Sequence, residues 1–172
     1  MIKIGIDVGS TTAKLVAVDE NDNLLFSKYE RHNAKAKETI LSFLKELLSE
    51  IGDKDISVRI TGSIGMGISE KCSLPFVQEV VAAAKAIQKD YSHVTSMIDI
   101  GGEDAKVVFF KDAEATDLRM NGNCAGGTGA FIDQMAIILG VNIDELNQLA
   151  MNATQVYPIA SRCGVFCKTD IQ

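Results

Sequence analysis

The tetrapeptide Ile6-Asp-Val-Gly9 is echoed by Ile98-Asp-Ile-Gly101, and each copy opens the same succession of elements. Residues 2–9 alternate apolar with small or polar groups, the period of a half-buried strand, and run into the turn Gly9-Ser-Thr-Thr12. Ala13–Val18 and Leu24–Tyr29 follow as strands, and Thr39–Ile51 carries Ile40, Phe43, Leu44, Leu47, Leu48 and Ile51 at helical spacing. The second round uses Thr95–Ile100, the turn Gly101–Asp104, strands Ala105–Phe110 and Ala115–Met120, and a helix through about Leu139. Strand, turn, strand, strand and helix thus occur at 2–51 and again at 95–139. This predicts an α/β chain in two lobes, 1–93 and 94–172. Between the rounds lie a strand at Ile56–Ile60, a flexible loop at Thr61–Gly67 and a helix at Val77–Tyr91. After the second come a short helix at Ile143–Met151 and the opening of another in Ser161–Gln172.

Composition narrows the function classes. No apolar run reaches the 18 residues of a membrane span, which predicts a soluble protein without a membrane partner. The N-terminus has an aspartate at its seventh residue and no cleavable signal pattern, so a cytoplasmic location is expected. A net charge of −6 argues against a nucleic-acid surface, which needs a basic face. Four cysteines in such a chain favour free thiols or metal ligation over disulfides.

The two aspartate hairpins are the first candidates for chemistry. Hydroxyls and backbone amides of Gly9, Ser10, Thr11 and Thr12 suit β- and γ-phosphates, and Asp7 suits Mg²⁺ held through water. The bland alternative is a surface hairpin whose aspartate caps its own turn. Asp99-Ile-Gly-Gly-Glu-Asp104 repeats the device, with three carboxylates around Gly101 and Gly102. Two such hairpins facing each other would clamp a triphosphate. Lys14, on the second strand, points either to a phosphate or to solvent.

The segment Asn121-Gly-Asn-Cys-Ala-Gly-Gly-Thr-Gly129 precedes a helix, where amides and the helix dipole favour an anion. A phosphate loop has no need of Cys124. Cys163, in Ser161-Arg-Cys-Gly-Val-Phe166, likewise stands near a predicted helix start, which favours a thiolate. The competing readings are a small residue in a glycine turn for Cys124 and a core residue on a helix face for Cys163.

Taken together, Asp7–Lys14, Asp99–Asp104, Asn123–Gly129 and Ser161–Phe166 resemble the motifs of the BadF/BadG/BcrA/BcrD ATPase family, the activators of 2-hydroxyacyl-CoA dehydratases. The resemblance covers nearly the whole chain, and its two cysteine motifs separate this family from the sugar kinases. It implies the actin, sugar kinase and Hsp70-like ATPase fold, ribonuclease H-like, with mixed sheets in both lobes and a truncated second lobe. It implies a homodimer that binds ATP and ADP with Mg²⁺ and holds one [4Fe–4S] cluster through Cys124 and Cys163 of each protomer. A ferredoxin or flavodoxin would reduce it, and a dehydratase or reductase component would receive the low-potential electron. Asp7, Asp99, Glu103 and Asp104 take the catalytic positions. Gly9–Thr12, Lys14, Gly101, Gly102, Gly126, Gly127, Thr128 and Gly129 take the nucleotide positions.

Two departures stand out. Glu103 replaces a glutamine common in relatives; it could orient the attacking water or act as a base. The family's adenosine-gripping Gly-Gly loop is absent, so the 172 residues look like the N-terminal portion of a longer protein, with weak nucleotide binding expected. Cys167, on the helical face of Cys163, reads as a buried thiol, and Cys72 as structural or exposed. A zinc site of Cys124, Cys163 and Cys167 lacks paired Cys-x-x-Cys spacing. His32 and His93 read as solvated at element edges. Two rival functions remain at this level: a small-molecule kinase using Asp99 or Asp104 as base, and a non-catalytic nucleotide-binding module.

Overall fold

The computed structural model describes residues 1–112, 114–121 and 124–172. Two compact units divide the chain, Met1–Ser92 and His93–Gln172. The first is built on β1 (Ile2–Val8), whose Ile2, Ile4, Ile6 and Val8 alternate onto one buried face. The turn at 9–12 returns the chain as β2 (Thr12–Val18), which adds Ala13, Leu15 and Ala17 to the same face, and β3 (Leu24–Arg31) completes the meander. Helix α1 (Ala36–Ile51) covers that face with Ile40, Phe43 and Leu47. Leu48 stays 60% exposed because it lies about 80° around the helix from Ile40. The crossover brings β4 (Ile56–Thr61) parallel to β1, giving the order β3-β2-β1-β4.

Residues 61–67, expected as a flexible loop, instead turn into helix α2 (Gly65–Cys72). The glycines there serve close approach rather than freedom. Gly62, at φ +90°, packs so tightly that a Cβ would collide with the Val8 carbonyl, and one at Gly65 would lie 3.0 Å from Ile60 Cγ2. The Ile64 N–H donates to the Val8 carbonyl at 2.9 Å, pinning the turn to β1. Helix α3 (Glu79–Asp90) follows and buries Ala84.

In the second unit β5 (Ser96–Ile100), β6 (Ala105–Lys111) and β7 (Glu114–Met120) form one sheet in chain order. A mixed sheet was expected, yet both strand pairs described are antiparallel; each connection is a short turn, and a parallel pair needs a longer crossover. Helices α4 (Gly129–Leu139), α5 (Ile143–Met151) and α6 (Gly164–Ile171) complete the unit. Asn142 and Glu145 cap α5 reciprocally, each side chain accepting the other's backbone N–H at 2.9 Å. Val108, Phe110, Met135, Ala136 and Cys167 are its buried apolar side chains. No helix among the described residues is long and apolar enough to cross a membrane.

Candidate functional site

Asp7, next to last in β1, lies directly opposite Lys14 in the antiparallel register, and Lys14 Nζ donates to Asp7 Oδ2 at 2.8 Å. Partial burial works against the Lys14 ammonium, but the hydrogen bond and charge of Asp7 outweigh it and raise its pKa above the usual lysine value. The same ammonium lies 5.3 Å from the centre of the Tyr29 ring. Lys14 is therefore fixed beside the hairpin rather than directed away from it.

The other carboxylate oxygen, Asp7 Oδ1, is buried without a hydrogen-bond partner among the described residues, and so is Thr61 Oγ1. Thr61 is the register partner of Asp7 across the parallel β1–β4 pair. An unpaired buried polar atom costs about 1–3 kcal/mol. Two of them thus stand at paired positions on neighbouring strands. The turn beside it is closed by the Gly9 N–H on the Thr12 carbonyl at 3.0 Å, with the Ser10 and Thr11 hydroxyl oxygens 3.5 Å apart.

His32, expected to be solvated, is instead 4% exposed beneath this turn. The β2–β3 register pairs Thr12 with Arg31, so the next residue falls beside Thr11. His32 Nε2 lies 3.0 Å from the Gly9 carbonyl, which can only accept, so Nε2 carries the proton. Its backbone N–H donates to the Thr11 carbonyl at 3.2 Å. His93 is exposed, as expected.

The second hairpin repeats the arrangement of the first. Asp99 pairs in register with Lys106, seven residues on, as Asp7 does with Lys14. Lys106 is buried, with Nζ 2.9 Å from Asp104 Oδ2 and 3.8 Å from Asp99 Oδ2. It is a site residue that sequence reasoning missed, although the internal echo marks it by spacing. Gly101 N–H donates to the Asp104 carbonyl at 2.8 Å, and a Cβ on Gly101 would run into Asp104 Oδ1. Glu103 is exposed at the turn and outside these ion pairs.

The glycine-rich segment docks onto this hairpin. Gly129 N–H donates to the Gly101 carbonyl and Ala130 N–H to the Gly102 carbonyl, both at 2.8 Å. Thr128 is fully buried, its N–H and hydroxyl both donating to the Ala125 carbonyl. Gly126 N–H donates to Cys124 Sγ at 3.3 Å. The amides of Gly126, Thr128 and Gly129 are thus engaged within the chain, while Gly127, at φ +80°, borders open space. Gly122 and Asn123 of the motif lie outside the described residues.

The segment that bears Cys124 meets the residue that follows Cys163. Asn121 accepts from Ala105 N–H and donates to the Cys124 carbonyl, each at 2.9 Å, tying this strand end to the start of the segment. A Cβ built on Gly126 would lie 3.3 Å from Cys124 Sγ and 3.5 Å from the Gly164 nitrogen. Cys163 precedes Gly164 as the N-cap of α6. Cys124 is exposed and Cys163 half-buried, whereas Cys167 is buried one turn further on and Cys72 is exposed in the other unit. No group of three or more His, Cys, Asp or Glu side chains able to hold a metal ion occurs among the described residues. Of these two thiols, that of Cys124 accepts an amide hydrogen bond and that of Cys163 stands at a helix N-terminus, the settings that favour a thiolate.

Over 170 residues the chain is 28% identical to the (R)-2-hydroxyglutaryl-CoA dehydratase activating ATPase of Acidaminococcus fermentans, covering 98% of this chain and 65% of that protein. The crystal structure of the A. fermentans (R)-2-hydroxyglutaryl-CoA dehydratase component A matches 99% of the chain with a TM-score of 0.87 at 28% identity, and 66% of its own chain is covered. The activator of the 2-hydroxyisocaproyl-CoA dehydratase from Clostridium difficile, solved with bound ADPNP, matches 99% at a TM-score of 0.85 and 30% identity, over 64% of its chain. The fold is that of the actin-like ATPases, shared with sugar kinases and Hsp70. The chain spans about two thirds of the length of these relatives. The BadF/BadG/BcrA/BcrD ATPase family model matches residues 4–172, and the chain belongs to that family.

Proposed function

We propose that this chain carries the phosphate-binding and electron-transfer parts of an ATP-dependent activator of a 2-hydroxyacyl-CoA dehydratase or related CoA-substrate reductase. Its two units would serve as the two lobes of the ATPase. The observation that carries the reading is the continuity of the second unit. The helix that begins on Gly101 and Gly102 is preceded by the segment bearing Cys124, and that segment packs through Gly126 on Gly164, next to Cys163.

In the first unit Gly9–Thr12 would cradle phosphate oxygens, and Lys14, already positioned by Asp7, would contribute its charge to them. Asp7 Oδ1 and its neighbour Thr61 Oγ1 have the unsatisfied acceptor capacity that suits the water shell of Mg²⁺. In the second unit Lys106 holds Asp99 and Asp104 in place, which leaves Glu103 as the carboxylate exposed to orient the attacking water. Gly101 and Gly102 would meet the phosphates, and Gly127 and Thr128 would transmit the change to Cys124.

Cys124 and Cys163 of each of two protomers would together supply the four thiolates of a [4Fe–4S] cluster shared by a homodimer. When bound, that cluster supplies one electron at low potential, received from a ferredoxin or flavodoxin and passed to the partner enzyme in the cytoplasm. The chain's own part would be to hold the Cys124 segment against the start of α6 through Gly126 and Gly164, whose missing side chains leave room. A kinase of the same fold would have no use for that pair.

The test is anaerobic reconstitution with iron and sulfide, comparing wild type with Cys124→Ala. Broad cluster absorption near one four-iron unit per dimer is expected for the wild type, and its loss for the variant. Absence of absorption in the wild type, or full retention in the variant, ends the assignment.

A further inference from the structure

We infer that His32 is a positioning residue of the first phosphate hairpin, setting the direction in which its backbone amides face; the inference rests on the nucleotide reading above. The residue lies outside every motif that the sequence offers, and burial and geometry single it out. It is 4% exposed, and it takes two of the turn's carbonyls at once, Gly9 through Nε2 at 3.0 Å and Thr11 through its own N–H at 3.2 Å. A third bond, from Lys35 N–H to the His32 carbonyl at 2.7 Å, fixes His32 itself.

The peptide bond makes this consequential. In a planar trans peptide the C=O of one residue and the N–H of the next point in opposite directions. Drawing the Gly9 and Thr11 carbonyls toward His32 therefore turns the N–H groups of Ser10 and Thr12 away from it. Those amides then present their positive ends on the opposite side of the turn, the arrangement by which a backbone concavity receives an anion. Without a donor at position 32, the Gly9 carbonyl would lose its buried partner, and the Gly9–Ser10 peptide would be free to rotate and show oxygen to the phosphate. His32 would touch no phosphate itself.

The test uses the full protein and two ligands, magnesium ATP and magnesium tripolyphosphate, the second isolating the phosphate contacts from those of the nucleoside. His32→Phe keeps the ring volume and removes the donor; His32→Gln keeps a donor on a chain of comparable reach. Titration calorimetry should show both ligands weakened about tenfold by H32F, the size of one lost buried hydrogen bond, and affinity restored by H32Q to within about twofold, since the donor is regained. Should H32F fail to fold, His32→Asn takes its place with the same expected weakening, because its amide is too short to reach Gly9. Unchanged affinity in the donorless variant overturns the inference, as does equal weakening in H32Q. Failure of the wild type to bind either ligand overturns the nucleotide reading, and this inference with it.

Discussion

Gly129 donates its N–H to the carbonyl of Gly101 at 2.8 Å, so the first turn of α4 is fastened to the second aspartate hairpin. A Cβ at Gly129 would stand 3.1 Å from that carbonyl oxygen. Helix N-terminal amides normally look outward for an anion or a cap. Here the hairpin's own carbonyls take them, which makes hairpin and helix one mechanical piece.

Gly129→Val and Gly127→Val should therefore behave differently. The first drives a side chain against backbone and should destabilise the chain by about 1–3 kcal/mol through overpacking. The second meets open space and carries only the strain of a left-handed conformation, about 1–2 kcal/mol. Denaturant unfolding measures both. In a reconstituted dimer, G127V should keep its iron while losing any ATP-dependent change in the cluster spectrum.

Lys106→Met should leave Asp99 and Asp104 close together with their shared buried cation removed. Breaking a fully buried pair costs about 3–5 kcal/mol; the two carboxylates are partly solvated, so a loss nearer 1–2 kcal/mol is expected. ATP turnover should fall further than nucleotide affinity, which steady-state kinetics on the full-length protein resolves.

Cys167→Ala tests whether burial excludes that thiol from ligation. Cys167 is 7% exposed, and its removal should cost about 1 kcal/mol as a small cavity. Iron and sulfide counts after reconstitution should match the wild type. A drop to the level of the Cys124→Ala variant would make Cys167 a ligand.

Asp22 provides a pH signature in the first unit. Hydrogen bonds from Lys89 at 2.6 Å and Lys3 at 2.9 Å lower its pKa from 3.8 to about 2. The folded state holds this carboxylate ionised where the unfolded chain protonates it. Its contribution is thus full above about pH 4 and disappears as the pH falls through about 2. The stability gap between wild type and Asp22→Asn should close over that window, and added salt should narrow it at neutral pH because the groups are exposed.

The two aspartate hairpins are legible in the sequence. Asp7, Asp99 and the glycine turns announce themselves because a strand ending in Asp-x-Gly reads locally. The segment at 61–67 was not legible as a helix start, since Gly62, Gly65 and Gly67 suggest freedom until Val8 and Ile60 are seen pressed against the first two. His32 was invisible for a related reason. A lone histidine after a strand has no pattern, and only the register of β2 on β3 carries it under Gly9. Lys106 lies between these cases, marked by the seven-residue echo of Asp7 and Lys14 but buried only by its sheet.

The sequence by itself determined the order of the elements apart from α2, the repeated aspartate hairpins and the presence of two cysteines in glycine settings, because period, turn chemistry and residue type are local properties. The tertiary structure decided which of these meet. Gly126 of the Cys124 segment packs on Gly164 beside Cys163, the amides of Gly129 and Ala130 are committed to the Gly101 and Gly102 carbonyls, and a histidine closes the first turn from beneath. Contacts between residues distant in sequence depend on strand register and helix packing, and no local pattern encodes those.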